Sequence, residues 1–153
     1  MTTVTEGAAA PDFDLETPDG RVKLSDYAGK TLVLYFYPKD DTGGCTKEAQ
    51  AFTELAPEFA RAGVAVIGVS KDSVAAHRKF VAKYDLGIPL GSDPSGETVE
   101  RYGSWVEKSL YGRHYMGIDR STFLIRDGKI AKMWRKVKVP NHAQAVLDAA
   151  KAL

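Results

Sequence analysis

The chain contains one cysteine, Cys45, and its surroundings could support thiol chemistry. Cys45 follows the polar, glycine-bearing segment 38–44 and begins a segment with helical periodicity. The first turn of a helix presents free backbone N–H groups and the positive end of the helix dipole, and both favour an anion. The sequence therefore points to a reactive thiolate, with a small buried hydrophobic residue as the alternative role for this cysteine.

The residues around Cys45 exclude several other cysteine chemistries. A C-x-x-C dithiol would need a second cysteine at Thr42, and a phosphatase-type loop would need an arginine at Ala51. A metal site lacks ligands, and a cysteine hydrolase would need a histidine base brought close only by the fold. The three histidines are scattered and are expected to lie on the surface: His77, His114 and His142.

The elements that must position Cys45 form a strand, a helix and a second strand. Residues 31–37 are apolar, β-branched and aromatic, which favours a strand buried on both faces. Apolar residues at three- and four-residue spacings predict a helix over 45–63, bent at Pro57 and ended by Gly63. Residues 64–70 predict a second buried strand, so the three elements make a parallel crossover.

The rest of the chain predicts further strands and helices of one α/β domain with a mixed sheet. A short strand pair flanks the turn at 17–20, and a helix over 73–84 has Ser73 as its cap. A hairpin surrounds 126–128, and a final helix is capped by Asn141. We expect a single domain over the whole chain, because its length suits one core.

Composition limits the partners and the compartment. The net charge of +1 argues against nucleic acid or an anionic membrane as a partner held by a strong field. The basic segment 132–138 alternates with apolar residues, as on the exposed face of a strand. A single cysteine forms no internal disulfide, no signal peptide is recognisable, and the apolar runs are too short to span a bilayer. We expect a soluble, cytoplasmic protein.

The segment "YPKDDTGGCTKE" resembles the active-site segment of peroxiredoxins. Their signature is proline, three residues, threonine or serine, two residues and cysteine, here Pro38, Thr42 and Cys45. The blocks "APDF", "YGSWVEKSLYGRHYMGIDRSTFLI" and "KVKVPNHAQAVL" are similar to the peroxiredoxin Q or bacterioferritin comigratory protein group. The resemblance runs almost the whole length. It implies a thioredoxin-like fold, with a central mixed β-sheet flanked by helices and an N-terminal β-hairpin.

The resemblance also implies a thiol-dependent peroxidase that needs no metal, flavin or haem. Cys45 would attack a hydroperoxide, Thr42 would offer its hydroxyl to the thiolate and the peroxide, and Pro38 would shield the pocket. Arg120 matches the family's distant arginine, and with Thr42, Gly44 and Cys45 it would bind the substrate. From sequence position alone, Thr42 could instead cap the helix, Pro38 could end the strand and Arg120 could be a surface residue.

Other residues near the motif carry weaker expectations. Asp40 and Asp41 would disfavour a nearby thiolate, so we expect them to face solvent or to pair with lysines. Glu48 resembles a family glutamate whose role the sequence leaves open. Four large side chains later in the chain are expected to pack in the core rather than rim the pocket: Trp105, Tyr111, Tyr115 and Met116.

The sequence departs from the family's pattern at two places. Gly43 stands where many relatives have proline, which predicts a looser loop. Gln50 and Val81 occupy the positions where relatives carry a resolving cysteine. The sulfenic acid of Cys45 would therefore be reduced by an external thiol such as thioredoxin, glutaredoxin or glutathione.

This pattern fits a one-cysteine peroxidase acting on hydrogen peroxide and small organic hydroperoxides. The same missing cysteine also fits a redox sensor or a thiol-accepting interaction protein with slow turnover. A thioredoxin-fold binding module with an unreactive thiol is the third interpretation. The presence of the whole motif argues against it, namely Pro38, Thr42, Cys45 and Arg120. The resemblance implies a monomer or a modest homodimer.

Overall fold

A seven-stranded mixed sheet lies at the centre of the fold, in a computed structural model that describes residues 4–153. In chain order the strands are β1 (Asp14–Thr17), β2 (Gly20–Lys23), β3 (Thr31–Phe36), β4 (Val64–Ser70), β5 (Leu90–Ser92), β6 (Trp105–Leu110), β7 (Arg113–Ile118), β8 (Ser121–Arg126) and β9 (Lys129–Trp134). The central sheet has the order β2-β1-β5-β4-β3-β8-β9, and β6 and β7 form a separate two-stranded sheet.

Four helices accompany the strands, together with one 3₁₀ turn at Leu24–Tyr27. They are α1 (Gly43–Arg61), α2 (Val74–Tyr84), α3 (Glu97–Arg101) and α4 (His142–Lys151). The strand β3 runs parallel to β4 and antiparallel to β8, so the predicted parallel crossover and the mixed sheet are both confirmed. The N-terminal hairpin of β1 and β2 is confirmed as well.

Alternation along β3 divides the core into two layers. Val33 and Tyr35 face one cluster, to which α1, α2 and α4 contribute Phe52, Phe80 and Val146. Leu32, Leu34 and Phe36 face the other cluster, together with the N-terminal Phe13 and with Val99 of α3. Residues 32–36 are fully buried, as expected for a central strand with both faces covered.

The ends of the helices test the capping predictions. Ser73 accepts a hydrogen bond from the backbone N–H of Ala76, which confirms its cap on α2. Gly63 follows the end of α1 with φ of +73°, a conformation that suits glycine, and α1 continues through Pro57 as one helix. Asn141 occupies the predicted N-cap position of α4, but it adopts φ of +64° and its side chain makes no cap hydrogen bond.

The hairpin of β6 and β7 was not predicted, and it is the most exposed part of the fold. Leu110, Tyr111, Tyr115 and Met116 are large exposed hydrophobic residues, and Tyr111 at the turn is 97% exposed. Trp105 is half-buried, with the ammonium of Lys71 lying 4.4 Å from its ring centroid. The expectation of core packing is therefore wrong for Tyr111, Tyr115 and Met116, which lie on a separate two-stranded sheet, whereas Trp105 packs against a core cluster as expected.

The basic segment and the helices bear on two further expectations. The strand β9 ends at Trp134, so residues 135–138 of the basic segment follow the strand rather than continue it. None of the helices described over residues 4–153 combines the length and the continuous apolar character that crossing a membrane would require.

Candidate active site

Cys45 is the third residue of α1, at the end of a loop that leaves β3. The side chain is almost fully buried, with 2% exposed, and it packs in the cluster that contains Tyr35 and Phe52. Burial alone would suit an inert thiol. Its position in the first helical turn, where backbone N–H groups lack helical partners, suits a thiolate.

Arg120 provides the contact that bears on the choice between these two roles. It follows β7 and reaches the cysteine across 75 residues of sequence, with its Nη2 donating to Cys45 Sγ at 3.3 Å. The Nη1 of the same guanidinium donates to Glu48 Oε1 at 2.7 Å. The interpretation of Arg120 as an ordinary surface residue is wrong, since its side chain is only 17% exposed. A cation held against a thiol favours the thiolate.

Glu48 is part of the site, lying one helical turn after Cys45. Its side chain is 1% exposed, and its Oε2 has no hydrogen-bond partner within residues 4–153. Burial raises the pKa of Glu48 to about 7, although Arg120 opposes that rise. Burial by itself would lower the pKa of Arg120, but Glu48 and Cys45 outweigh it and raise that pKa. The guanidinium therefore remains charged beside two groups that can each be neutral or anionic.

Two adjacent glycines begin α1, and they differ in their surroundings. A methyl group added at Gly44 would lie 3.2 Å from Arg120 Nη2, whereas one added at Gly43 would meet no atom within 4 Å. Gly44 therefore leaves room for the guanidinium of Arg120 over the start of the helix.

Thr42 and Pro38 lie on the exposed side of the loop. Thr42 occupies the N-cap position, but its hydroxyl donates to the carbonyl of Lys39 at 2.9 Å and makes no cap bond. The predicted capping role is therefore wrong for its side chain. Pro38 is exposed and follows the last residue of β3 by two positions, consistent with ending the strand. The structure thus brings Cys45, Gly44 and Arg120 into contact, with Thr42 at the entrance of the helix.

Tyr35 lies in the same buried cluster as Cys45. The sequence patterns did not predict a place for it in the site. Its ring is fully buried, and its hydroxyl has no hydrogen-bond partner in the described part of the chain. Burial raises the pKa of Tyr35 well above its usual value, and the nearby Glu48 and Cys45 raise it further. Gly68 makes the ring's position possible, because a methyl group there would lie 2.7 Å from Tyr35 Cζ. In the sequence, a glycine inside an otherwise apolar strand was the signal that another group approaches closely there.

The two aspartates of the loop have different environments. Asp41 is partly exposed and binds Lys83 Nζ at 2.8 Å and the hydroxyl of Tyr84, as expected for a carboxylate kept away from the thiol. Asp40 is buried instead, so the expectation of solvent or a lysine partner is wrong for it. Its carboxylate contacts His77 Nδ1 at 2.7 Å and accepts from the hydroxyl of Tyr37.

Two of the three histidines are buried, which corrects the expectation that all lie on the surface. His77 is fully buried beside Asp40. His142 is buried and lies 2.8 Å from the hydroxyl of Thr122, and burial together with the charge of Arg120 lowers its pKa to about 4. Only His114 is exposed. Among residues 4–153, no group of three or more His, Cys, Asp or Glu side chains could hold a metal ion.

Comparisons with known proteins show the family of the chain. Residues 7–133 match the model of the AhpC/TSA family. A putative peroxiredoxin Bcp of Coxiella burnetii is 47% identical over 147 residues, covering 95% of this chain and 97% of its own. The peroxiredoxin Bcp of Bacillus subtilis is 46% identical over 151 residues, covering 97% and 96%.

Solved structures give the same result for the fold. A structure of Xanthomonas campestris peroxiredoxin Q has a TM-score of 0.89 and 44% identity, covering 99% of this chain and 97% of its own. A Cys→Ser mutant of Xylella fastidiosa PrxQ has a TM-score of 0.93 and 39% identity, covering 99% and 98%. The thioredoxin-like fold is confirmed by this likeness. The chain belongs to the AhpC/TSA family and, within it, to the peroxiredoxins of the Bcp or peroxiredoxin Q group, which are thiol-dependent peroxidases.

Proposed function

We propose that Cys45 is the nucleophile with which this peroxiredoxin reduces hydroperoxides. The observation that carries the proposal is the 3.3 Å contact between Arg120 Nη2 and Cys45 Sγ at the N-terminus of α1. A fixed guanidinium and free backbone N–H groups both favour the thiolate, which is the reactive form of cysteine.

The reaction transfers one oxygen atom to sulfur. The thiolate attacks the terminal oxygen of the hydroperoxide, so that an S–O bond forms while the O–O bond breaks. The electron pair of the O–O bond leaves on the other oxygen, which takes a proton and departs as water or an alcohol. Cys45 is oxidised to a sulfenic acid, and the peroxide is reduced by two electrons.

Thr42, Gly44, Cys45 and Arg120 would bind the substrate near the start of α1. Arg120 and the backbone N–H groups near Gly44 would stabilise the negative charge that develops on the leaving oxygen. Thr42 would hydrogen-bond the thiolate and the peroxide by turning its hydroxyl away from the carbonyl that it now contacts. Pro38 would limit the access of water to the buried thiol. We propose one domain over residues 1–153 for this activity.

Return to the thiolate requires an external thiol, because the sequence contains no second cysteine. The first reductant thiol displaces water from the sulfenic acid and forms a mixed disulfide, and a second thiol releases Cys45. Thioredoxin, glutaredoxin and glutathione are the reductants that we propose. The related Xanthomonas campestris protein has been studied for alkyl peroxide reduction, which favours organic hydroperoxides beside hydrogen peroxide as substrates.

The first experiment is a titration of the reduced protein with hydrogen peroxide, with dimedone to trap the sulfenic acid and intact mass to count it. Rapid stoichiometric trapping is expected in the wild type, none in Cys45→Ser, and much slower trapping in Arg120→Ala. Arg61→Ala is the matched control, because Arg61 is an exposed arginine in the last turn of α1. Trapping no faster than that of free cysteine would contradict the proposal.

A redox sensor is the second candidate, favoured by the absence of a second cysteine. Sulfenic acid without an internal partner persists longer and is open to a further oxidation to sulfinic acid. Peroxide consumption in the presence of thioredoxin, glutaredoxin or glutathione separates the two functions. Sustained turnover supports the peroxidase, whereas a single stoichiometric oxidation followed by slow reduction supports the sensor.

A further inference from the structure

A second group of buried polar side chains lies beside the peroxide site: Tyr37, Asp40 and His77. Tyr37 donates its hydroxyl proton to Asp40 Oδ1 at 2.5 Å, and Asp40 Oδ2 lies 2.7 Å from His77 Nδ1. The other ring nitrogen, His77 Nε2, lies 3.0 Å from the carbonyl oxygen of Gly91 in β5. His77 is fully buried, and Asp40 is 9% exposed.

Counting protons shows that the pair of Asp40 and His77 is electrically neutral in this geometry. The carbonyl of Gly91 only accepts, so His77 Nε2 carries a proton and donates it. The contact of 2.7 Å between Nδ1 and Oδ2 needs one further proton, because otherwise two lone pairs would face each other. Whether that proton lies nearer the ring or the carboxyl group, the two side chains together carry no net charge.

Asp40 is anchored on several sides by the strands around it. Its backbone N–H donates to Asp72 Oδ2 at 2.9 Å, and that oxygen also accepts from the hydroxyl of Ser70 at the end of β4. The groups in contact with the two side chains of the pair are therefore the hydroxyl of Tyr37 after β3 and a carbonyl of β5, and the carboxylate of Asp72 contacts the backbone of Asp40. Since Tyr37 and the carbonyl are neutral and Asp72 is acidic, His77 is the neighbour able to supply a compensating proton.

The pair also lies close enough to the peroxide site to affect its electrostatics. The rings of Tyr35 and Tyr37 are neighbours, with centroids 5.6 Å apart. Burial raises the pKa of Tyr35 most, the charges of Glu48 and Cys45 raise it further, Arg120 opposes them, and Asp40 makes the smallest contribution, which also raises it. Tyr35 thus lies between two buried sets of ionisable groups, and an unbalanced carboxylate on one side acts on the thiolate on the other.

We propose that His77 is a positioning residue for the peroxide reaction, and that it holds the proton that neutralises Asp40. Asp40 can then anchor the loop that carries Pro38 and Thr42 without adding a buried negative charge near the Cys45 thiolate. This role rests on the proposed function of Cys45 as the nucleophile.

The test measures ionisation of the Cys45 thiol as a function of pH, by thiolate absorbance and by the rate of iodoacetamide alkylation. In His77→Gln, the midpoint of thiol ionisation should rise by about one pH unit, because a buried like charge disfavours the thiolate. Removing the carboxylate as well, in Asp40→Asn/His77→Gln, should return the midpoint to within about 0.3 unit of wild type. Below the midpoint, the peroxide rate of His77→Gln should fall about tenfold and recover in the double variant.

Two controls separate charge from mere structural support. Asp41→Asn removes the neighbouring exposed carboxylate, which Lys83 already balances, and should leave the midpoint unchanged. Tyr37→Phe removes one buried hydrogen bond but no charge, so it should lower the urea midpoint of unfolding without moving the thiol titration.

Failure of the proposal and failure of the proposed function give different results. A folded His77→Gln whose thiol titrates like wild type would overturn the role of His77. A double variant whose midpoint of thiol ionisation stays as high as that of His77→Gln would overturn it as well. Alkylation requires no peroxide. If the Cys45 thiol ionises and responds to His77→Gln as expected but the wild-type protein reduces no peroxide, the proposed function is overturned instead.

Discussion

Replacing Arg120 by methionine should separate the stability of the buried site from its activity. Arg120 Nη1 donates to Glu48 Oε1 at 2.7 Å, and the glutamate side chain is 1% exposed. Removing the guanidinium leaves a buried carboxyl group without its cation. Breaking a buried ion pair in this way costs about 3–5 kcal/mol of the free energy of unfolding. The expected loss near pH 8 lies in that range.

The double variant Arg120→Met/Glu48→Met should behave differently. Apolar side chains of similar volume often replace a buried ion pair at little cost or with a gain of about 1–4 kcal/mol, so the double variant should recover most of the stability. Activity should not recover, because both variants lack the contact between Arg120 Nη2 and Cys45 Sγ. A hydrogen bond to a charged group contributes about 1.5–3 kcal/mol, which corresponds to a loss of roughly 10- to 160-fold in the peroxide rate.

The pH dependence of the single variant follows from the titration of Glu48. Burial raises the pKa of Glu48 from 4.5 to about 7 in the presence of Arg120, which lowers it, so removing Arg120 raises it further. A group with a raised folded-state pKa contributes stability that is present below its unfolded pKa and lost as the pH rises through its folded pKa. The cost of Arg120→Met should therefore shrink as the pH falls from about 8 toward about 5, where the carboxyl group binds a proton.

Urea unfolding followed by tryptophan fluorescence measures the stability, and stopped-flow peroxide consumption measures the rate. The wild type, Arg120→Met, Glu48→Met and the double variant complete a mutant cycle. A double variant as unstable as Arg120→Met would refute the role of the buried pair. A double variant that keeps its peroxide rate within about threefold of wild type would refute the contribution of Arg120 to the reaction.

Two other perturbations follow from single contacts. Gly44→Ala should slow the peroxide reaction severalfold in stopped-flow measurements, since its methyl group would lie 3.2 Å from Arg120 Nη2; Gly43→Ala, with no atom within 4 Å, is the control and should react like wild type. His142 has a pKa lowered from 6.5 to about 4, so its stabilisation is complete above pH 6.5 and is lost as the pH falls through about 4. Urea unfolding from pH 7 to pH 4 should therefore show a smaller loss in His142→Gln than in wild type, and equal losses would contradict the assignment.

The elements that position the thiol could be predicted because their patterns are strong and local. Residues 31–37 are apolar throughout, and the helix after them repeats its apolar residues at helical spacing. Cys45 at the start of that helix needed no tertiary information. The contact of Arg120 with Cys45 was different, since 75 residues separate the two, and only the resemblance to peroxiredoxins placed them together.

The environment of the loop carboxylates could not be predicted from the sequence. Asp40 and Asp41 are adjacent and identical in type, yet one is buried and the other exposed. The difference arises from His77, which lies 37 residues away and enters the core only when α2 packs on the sheet. The hairpin of β6 and β7 could not be predicted because its sequence lacks a local pattern, not because of a distant contact. Most of its side chains are exposed on both faces, so it lacks the alternation that marks a half-buried strand.

The charge of Arg120 is shared among the ionisable groups around Cys45, and their protonation decides how much of it acts on the thiolate. Arg120 contacts two groups that can become anionic, Cys45 and Glu48. Burial raises the pKa of Glu48 to about 7, so near neutral pH a large share of this carboxyl group is protonated and leaves the guanidinium to the thiolate. In our proposal His77 holds the proton that neutralises Asp40, so Asp40 adds no further negative charge for Arg120 to balance. Raising the pH should therefore bring Glu48 into competition with the thiolate for a single cation, so the Glu48→Gln variant should keep its peroxide rate at alkaline pH where the wild type declines.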